Sequence, residues 1–286
     1  MLNRNLSKST RIAPVVVLVL STLLWGSTFV PIKALVRTFS IYSFLGFRFS
    51  IGAVALLALK KRLPEKSNII PGFIIGFVLG IGYIFQTYGI KYSAPGIAGV
   101  ITGLFVVFTP FFEWMLGGQI AKKSIVAVII ALFGTALLVY TPGQSQGISI
   151  GDILVFLAAV TFAAQILFLS RWTNSENLWD LVIVELATVG VMGFAVAGAT
   201  HSFELPSGYA LWTILGISIA ATSVPYILQA WSQSMLNATE SAVILATEPV
   251  WALLTSILFA HETFSALQIA GILIVLLTVT LHEAIT

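Results

Sequence analysis

Apolar runs long enough to cross a bilayer recur from Ile12 to Ile285, and the connections between them are too short to hold a soluble domain. A helix crosses ~30 Å of hydrocarbon with about twenty mostly apolar residues, so a chain of this length has room for roughly ten such spans. Charged residues make up only 9% of the chain and apolar residues 58%, whereas a soluble domain carries about 25% charge. Runs such as Val15 to Leu20 and Leu273 to Leu277 show no alternation, which excludes the pattern of a membrane β-barrel. Backbone groups in hydrocarbon must be paired within the segment, so the spans are helices. The chain reads as an all-α integral membrane protein.

The spans fall at about 12–36, 41–59, 69–90, 95–117, 124–140, 150–171, 178–199, 209–235, 239–260 and 264–285. Turn chemistry marks the links at Lys61 to Lys66, Thr141 to Gln144 and Leu205 to Gly208. Arg4, Lys8 and Arg11 precede the first run as in a signal peptide, but the run continues to Leu35 without a small-residue cleavage site, so it is expected to stay as an anchor. With the N-terminus in the cytoplasm, Lys60, Lys61, Arg62, Lys66, Lys122, Lys123 and Arg171 also lie inside, against Lys33, Arg37 and Lys91 outside. That bias puts both termini on the cytoplasmic side of the cell membrane.

Two halves, 12–140 and 150–285, look alike. Tyr83-Ile84-Phe85-Gln86 matches Tyr226-Ile227-Leu228-Gln229, Pro110 matches Pro249, and Leu24-Trp25-Gly26 aligns with Thr161-Phe162-Ala163 at the offset that pairs Arg48 with Glu185. Five spans per half is odd, so the second copy enters the membrane inverted. The expected fold is ten transmembrane helices in two inverted five-helix repeats, an arrangement that places a solute site at the repeat interface near the midplane. Chance likeness between apolar helices is the alternative.

Ionisable groups inside a membrane face a cavity or a partner. Arg48, Glu185 and Glu248 are the clear cases, with Glu113 nearer a span end. Glu248 sits mid-span beside Pro249, which removes a backbone donor and loosens the preceding turn near Leu245. A carboxylate there could hold a substrate ammonium or a proton, or serve only packing. Arg48 and Glu185 read as gating or structural charges, with snorkelling to the interface as the competing reading. Trp25, Ser27 and Thr28, Tyr83, Gln86 and Thr87, Gln165, and Tyr226 and Gln229 form a candidate substrate wall of hydrogen-bonding and flat apolar groups. Inter-helix hydrogen bonding is an equal alternative for the Gln residues. Trp172, Trp179 and Trp212 suit an interfacial belt. Pro110 and Pro249 are expected helix kinks. Gly72, Gly76 and Gly80, and Gly99 and Gly103, read as packing faces.

No Cys is present, the His residues lack metal spacing and no Gly-rich phosphate loop occurs, so neither metal nor other cofactor is expected. The net charge of +3 is too scattered for nucleic acid. Asp152, His201 and His261 are too dispersed for a membrane enzyme.

Leu24-Trp25-Gly26-Ser27-Thr28-Phe29-Val30 with Lys33, Arg48-Phe49, Gln86 to Ala94 with Thr102-Gly103-Leu104, Gly151 to Leu154, Gln229 to Gln233, Thr247 to Val250 and His261-Glu262 occur in an order that resembles the EamA-type transporters of the drug/metabolite transporter superfamily. The resemblance implies ten helices in inverted repeats and secondary transport by alternating access, with export of small amphipathic metabolites such as amino acids or amines. It leaves open a proton or sodium ion as coupling ion and a monomer or dimer as the assembly. A passive facilitator or channel is the alternative, a membrane-embedded enzyme the remoter one. The chain departs from the family at His261, where Gly often stands, and at Gly117-Gly118-Gln119, where a Gly-Glu-Arg-like turn can occur.

Overall fold

A computed structural model describes residues 8–117 and 148–284, with single positions 126, 129, 130, 133, 134 and 137 between them. Every regular element among the described residues is helical. These are α1 (Lys8–Gly26), α2 (Phe29–Leu35), α3 (Ile41–Lys60), α4 (Lys66–Tyr92), α5 (Pro95–Thr102), α6 (Phe105–Met115), α7 (Ile150–Trp172), α8 (Leu178–Ala199), α9 (Gly208–Ser218), a π segment (Ile219–Ser223), α10 (Val224–Gln233), α11 (Ala238–Leu245), α12 (Glu248–Ala260) and α13 (Ala266–Ala284). Eight stretches among the described residues are long and apolar enough to cross a membrane: α1–α2, α3, α4, α5–α6, α7, α8, α9–α10 and α11–α12. The expected span 124–140 lies largely outside the described residues.

Helix ends carry their own polar capping chemistry. Ser149 and Asp152 form a reciprocal capping box at α7, as do Asn237 and Glu240 at α11, satisfying backbone donors that each helix start leaves free. Several helix ends carry a positive-φ residue, among them Gly117 (φ 91) after α6 and His261 (φ 53) after α12. His261 therefore keeps the conformation that Gly adopts freely, at a modest steric cost. The following Glu262 accepts a hydrogen bond from the Gly96 amide at 3.0 Å, tying the end of α12 to the start of α5. On the same side Lys33 donates to the Ser93 carbonyl, and the Ser93 hydroxyl donates to Asp152 at 2.6 Å.

Packing is organised around α4, which lies along both α7 and α8, while α3 runs along α8, α1 along α10, and α5 along α12. The glycine faces expected from four-residue spacing do meet neighbours: a Cβ at Gly72 would strike Val184, and one at Gly76 would strike the Glu185 carbonyl. Large apolar side chains face outward, among them Leu59, Phe73, Val191 and Trp212, the last 74% exposed. In water such a surface would drive aggregation; lipid requires it.

Three spans break midway. α1 gives way to α2 at Ser27–Thr28, α5 to α6 at Gly103–Leu104, and α11 to α12 at Ala246–Thr247. The last break follows the sequence expectation, since Pro249 cannot donate to the Leu245 carbonyl. Pro110 lies inside α6, which continues through it, and the break in this span lies earlier, at Gly103. Contact explains that site: a Cβ at Gly103 would lie 2.5 Å from Pro249 Cγ, and one at Gly26 would lie 2.8 Å from the Glu248 carbonyl. Backbones interrupted in three spans thus meet around Glu248 and Pro249.

Candidate functional site

At that meeting point is a cavity with about 50 Å³ open to the centres of water-sized molecules, room for a few waters. The broken helices supply Trp25, Thr28 and Phe29, then Thr102 and Phe105, then Leu245 and Glu248. The other walls are Arg48 from α3, Leu79, Tyr83 and Gln86 from α4, Phe162, Gln165 and Ile166 from α7, and Tyr226 and Gln229 from α10.

Arg48 is only 1% exposed. Its Nε donates to Thr222 Oγ1 at 2.7 Å and its Nη2 to the Ala221 carbonyl at 3.1 Å. Pro225 explains that free carbonyl, because residue i+4 from Ala221 has no N–H. The guanidinium satisfies it instead, and the backbone widens into the π segment. The Thr222 and Ser223 hydroxyls donate to the carbonyls of Ile217 and Ser218, each five residues back. The guanidinium carbon lies 4.9 Å from the Tyr83 ring centroid and 5.0 Å from that of Phe49, within cation–π range. Nη1 has no hydrogen-bond partner among the described residues.

Glu248 is the first residue of α12, where helix N–H groups favour negative charge. Its carboxylate makes no hydrogen bond among the described residues, and no cation lies within ion-pair distance of it there. Leu245, whose carbonyl Pro249 deprives of its i+4 donor, lines the cavity beside it. Trp25 Nε1 and Gln229 Oε1 are likewise buried without hydrogen-bond partners among the described residues. The cavity therefore offers unpaired donors at Trp25 and Arg48 and unpaired acceptors at Gln229 and Glu248. Buried polar groups are rarely left in this state away from functional sites.

The aromatic walls interlock. Tyr226 donates its hydroxyl proton to the Tyr83 hydroxyl at 2.8 Å. Trp25 packs edge-on against Tyr226 at 5.1 Å between centroids, and Phe162 against Tyr83 at 5.3 Å.

Of the residues expected at the wall, Trp25, Thr28, Tyr83, Gln86, Gln165, Tyr226, Gln229 and Glu248 do line this cavity. Ser27 does not: it is exposed and bonded to the Leu24 carbonyl, because two residues turn a helix by about 200° from Trp25. Thr87 is buried on α4 but off the cavity. Arg48, expected as a gating or structural charge, lines the cavity. Snorkelling is corrected for both matched charges, since Glu185 is fully buried as well. Glu185 lies behind the wall and accepts from Gln165 Nε2 at 2.7 Å. The two Gln readings coexist: Gln86 lines the cavity and donates to Thr102 at 3.2 Å, and Gln165 joins wall to Glu185. Glu113 stands apart, accepting from Thr239 at 2.7 Å. Thr102, Phe105 and Phe162 were not singled out as wall residues; for Phe162 its alignment with Trp25 was the available signal.

A profile of the EamA-like transporter family matches residues 12–140 and again 149–282. The chain belongs to this family. An uncharacterized transporter of Archaeoglobus fulgidus is 32% identical over 92% of this chain and 83% of its own length. The uncharacterized transporter YoaV of Bacillus subtilis is 24% identical over 89% and 91%, and the uncharacterized inner membrane transporter YedA of Escherichia coli is 26% identical over 91% and 87%. A solved crystal structure aligns with a TM-score of 0.73 over 98% of both chains at 15% identity, a likeness of fold alone. The protein is thus a multi-pass, helical EamA-type membrane transporter, which implies a small-molecule substrate.

Proposed function

We propose that this EamA-type protein is a secondary carrier exporting small amphipathic metabolites that bear an amine, such as amino acids or amines, by alternating access. The observation that carries the reading is the unpaired Glu248 carboxylate at a helix break, inside a cavity walled by Trp25, Tyr83 and Tyr226. A carboxylate there binds an ammonium, and the rings hold its apolar body. Trp25, Thr28, Gln86, Gln165 and Gln229 supply further contacts, and Arg48 and Glu185 fix the frame. The present cavity fits only waters, so a metabolite enters when the walls part, and breaks in three spans are natural hinges for that motion.

In this reading ten spans form two inverted repeats, 12–140 and 150–285. The double match to the family profile supports it. So does the pairing of rings: Trp25 on Tyr226 and Phe162 on Tyr83 exchange when the matched positions of the halves are exchanged. The basic residues support cytoplasmic termini, and the name of the Escherichia coli relative supports the inner membrane. Glu248 would also take the coupling proton, if a proton and not sodium is the ion.

Counterflow of labelled phenylethylamine and of labelled aromatic amino acids into proteoliposomes tests the proposal. Saturable counterflow is expected, and Glu248→Gln weakens it by on the order of tenfold to a hundredfold, the loss of one charge-assisted hydrogen bond. Non-saturating flux without counterflow would mark a passive pore. Unchanged transport and pH dependence in Glu248→Gln would remove this residue from the site.

A further inference from the structure

Away from the central cavity, the outer face of the helix bundle carries a groove of about 570 Å³ between α4 and α8. Leu63, Pro64 and Phe73 form one wall and Ala187 and Val191 part of the other. Its one hydroxyl, Thr188, is turned to the Val184 carbonyl at 2.7 Å, which leaves the groove apolar. From Ile183 to Met192 the α8 wall rises about 14 Å, roughly half the hydrocarbon thickness. The groove has the depth of one leaflet.

Its mouth is basic. The connection from α3 to α4 and the first residue of α4 carry Lys61, Arg62 and Lys66, all exposed, and none of their side chains forms an ion pair or hydrogen bond among the described residues. Leu63 and Pro64, between these cations, are themselves groove walls. Asp180 at the start of α8 anchors this connection. It pairs with Lys60 and accepts from the Glu65 amide and from Asn68 Nδ2, each at 3.0 Å. Lys61 holds a left-handed conformation (φ 58) as the α3 cap, so the cations leave the helix in a set direction. The positive charge therefore sits on a connection tied to α8 beside the apolar slot.

We propose that this groove binds one anionic phospholipid, an acyl chain lying between α4 and α8 and the headgroup phosphate against Lys61, Arg62 and Lys66. Lipid tails are as apolar as the groove, so the chain gains only packing there. Selectivity comes from the headgroup, since each Lys or Arg near an anionic lipid surface contributes measurably. A basic pocket between spans at the end of a leaflet is the arrangement that recognises such headgroups.

The test is native mass spectrometry of the purified full chain, titrated with phosphatidylglycerol or with phosphatidylcholine of the same acyl chains. One phosphatidylglycerol is expected to be retained in preference to phosphatidylcholine. The triple variant Lys61→Gln, Arg62→Gln, Lys66→Gln lowers phosphatidylglycerol retention to the phosphatidylcholine level, a loss on the order of a hundredfold. Val191→Trp, on the lipid-facing wall, displaces the retained lipid with its melting temperature unchanged. Equal retention of both lipids by the unaltered chain overturns the proposal, as does a phosphatidylglycerol preference that survives the triple variant. Disulfide-linked dimers formed in membranes by Val191→Cys would overturn it too, since the groove would then be an interface between copies.

Discussion

Arg48 and Glu185 occupy matched positions in the two halves and both are fully buried, yet their surroundings differ sharply. Arg48 is met by a hydroxyl, a freed carbonyl and three ring faces. Glu185 is met by the Gln165 amide, and its second oxygen has no hydrogen-bond partner among the described residues. The same contrast runs through the spans that carry Tyr-Ile-x-Gln. α4 is continuous, whereas its counterpart α9–α10 opens into a π turn ahead of Pro225, where Arg48 enters. Matched positions kept burial and exchanged chemistry. Arg48 holds together a locally irregular backbone, and Glu185 joins the cavity wall to α8 through one hydrogen bond.

If this contrast is right, removing Arg48 has the larger effect. Arg48→Ala leaves the Ala221 carbonyl and Thr222 without their donor and opens a void among three rings. A stability loss of about 3 kcal/mol is expected, read from thermal unfolding in detergent. Glu185→Gln keeps shape and the contact with Gln165, and is expected to shift stability by less than ~1 kcal/mol. Equal losses for the two variants would abolish the distinction.

A double-mutant cycle sharpens it. Pro225→Ala restores an N–H that can reach the Ala221 carbonyl once the π turn closes. In the Arg48→Ala background it is expected to recover about 1 kcal/mol, so the two changes couple. Strict additivity would show that Arg48 does not stand in for the missing backbone donor.

The last test concerns the contact joining the two spans. Tyr83→Phe and Tyr226→Phe each remove the same hydroxyl–hydroxyl bond, at about 1 kcal/mol apiece, and the double variant should lose little more than either single one. Losses that sum would mean that the hydroxyls have separate partners.

Much of this was readable from residue types. Pro249 announced the break before Glu248, since a residue without an N–H cannot close the turn. Tyr83 and Tyr226 announced themselves by a shared four-residue pattern, and their hydroxyls do meet. Gly99 and Gly103 announced a close approach, later seen against Ala252 and Pro249. Other features had no local signature. Pro225 looks no different in sequence from Pro71, which α4 accommodates within its second turn; only the arrival of Arg48 from another span makes it the origin of a π turn. Ser27 and Thr28 are adjacent polar residues, and the direction of the break between α1 and α2 sends one to the cavity and the other to the surface. Thr102 and Phe105 became wall residues because the break at Gly103 packs against Pro249, a contact between spans far apart in the chain.

The sequence by itself determined the solvent of this protein, its helical elements and the costly groups that lipid does not tolerate alone, because each follows from local apolarity, backbone pairing and side-chain charge. Tertiary structure decided which of those groups stay unpaired, leaving Glu248 open to the cavity and giving Arg48 its carbonyl. That choice depends on contacts between residues more than a hundred positions apart, such as Arg48 with Ala221, which are 173 positions apart. The physical reason is that a buried polar group is satisfied or orphaned by whatever backbone reaches it.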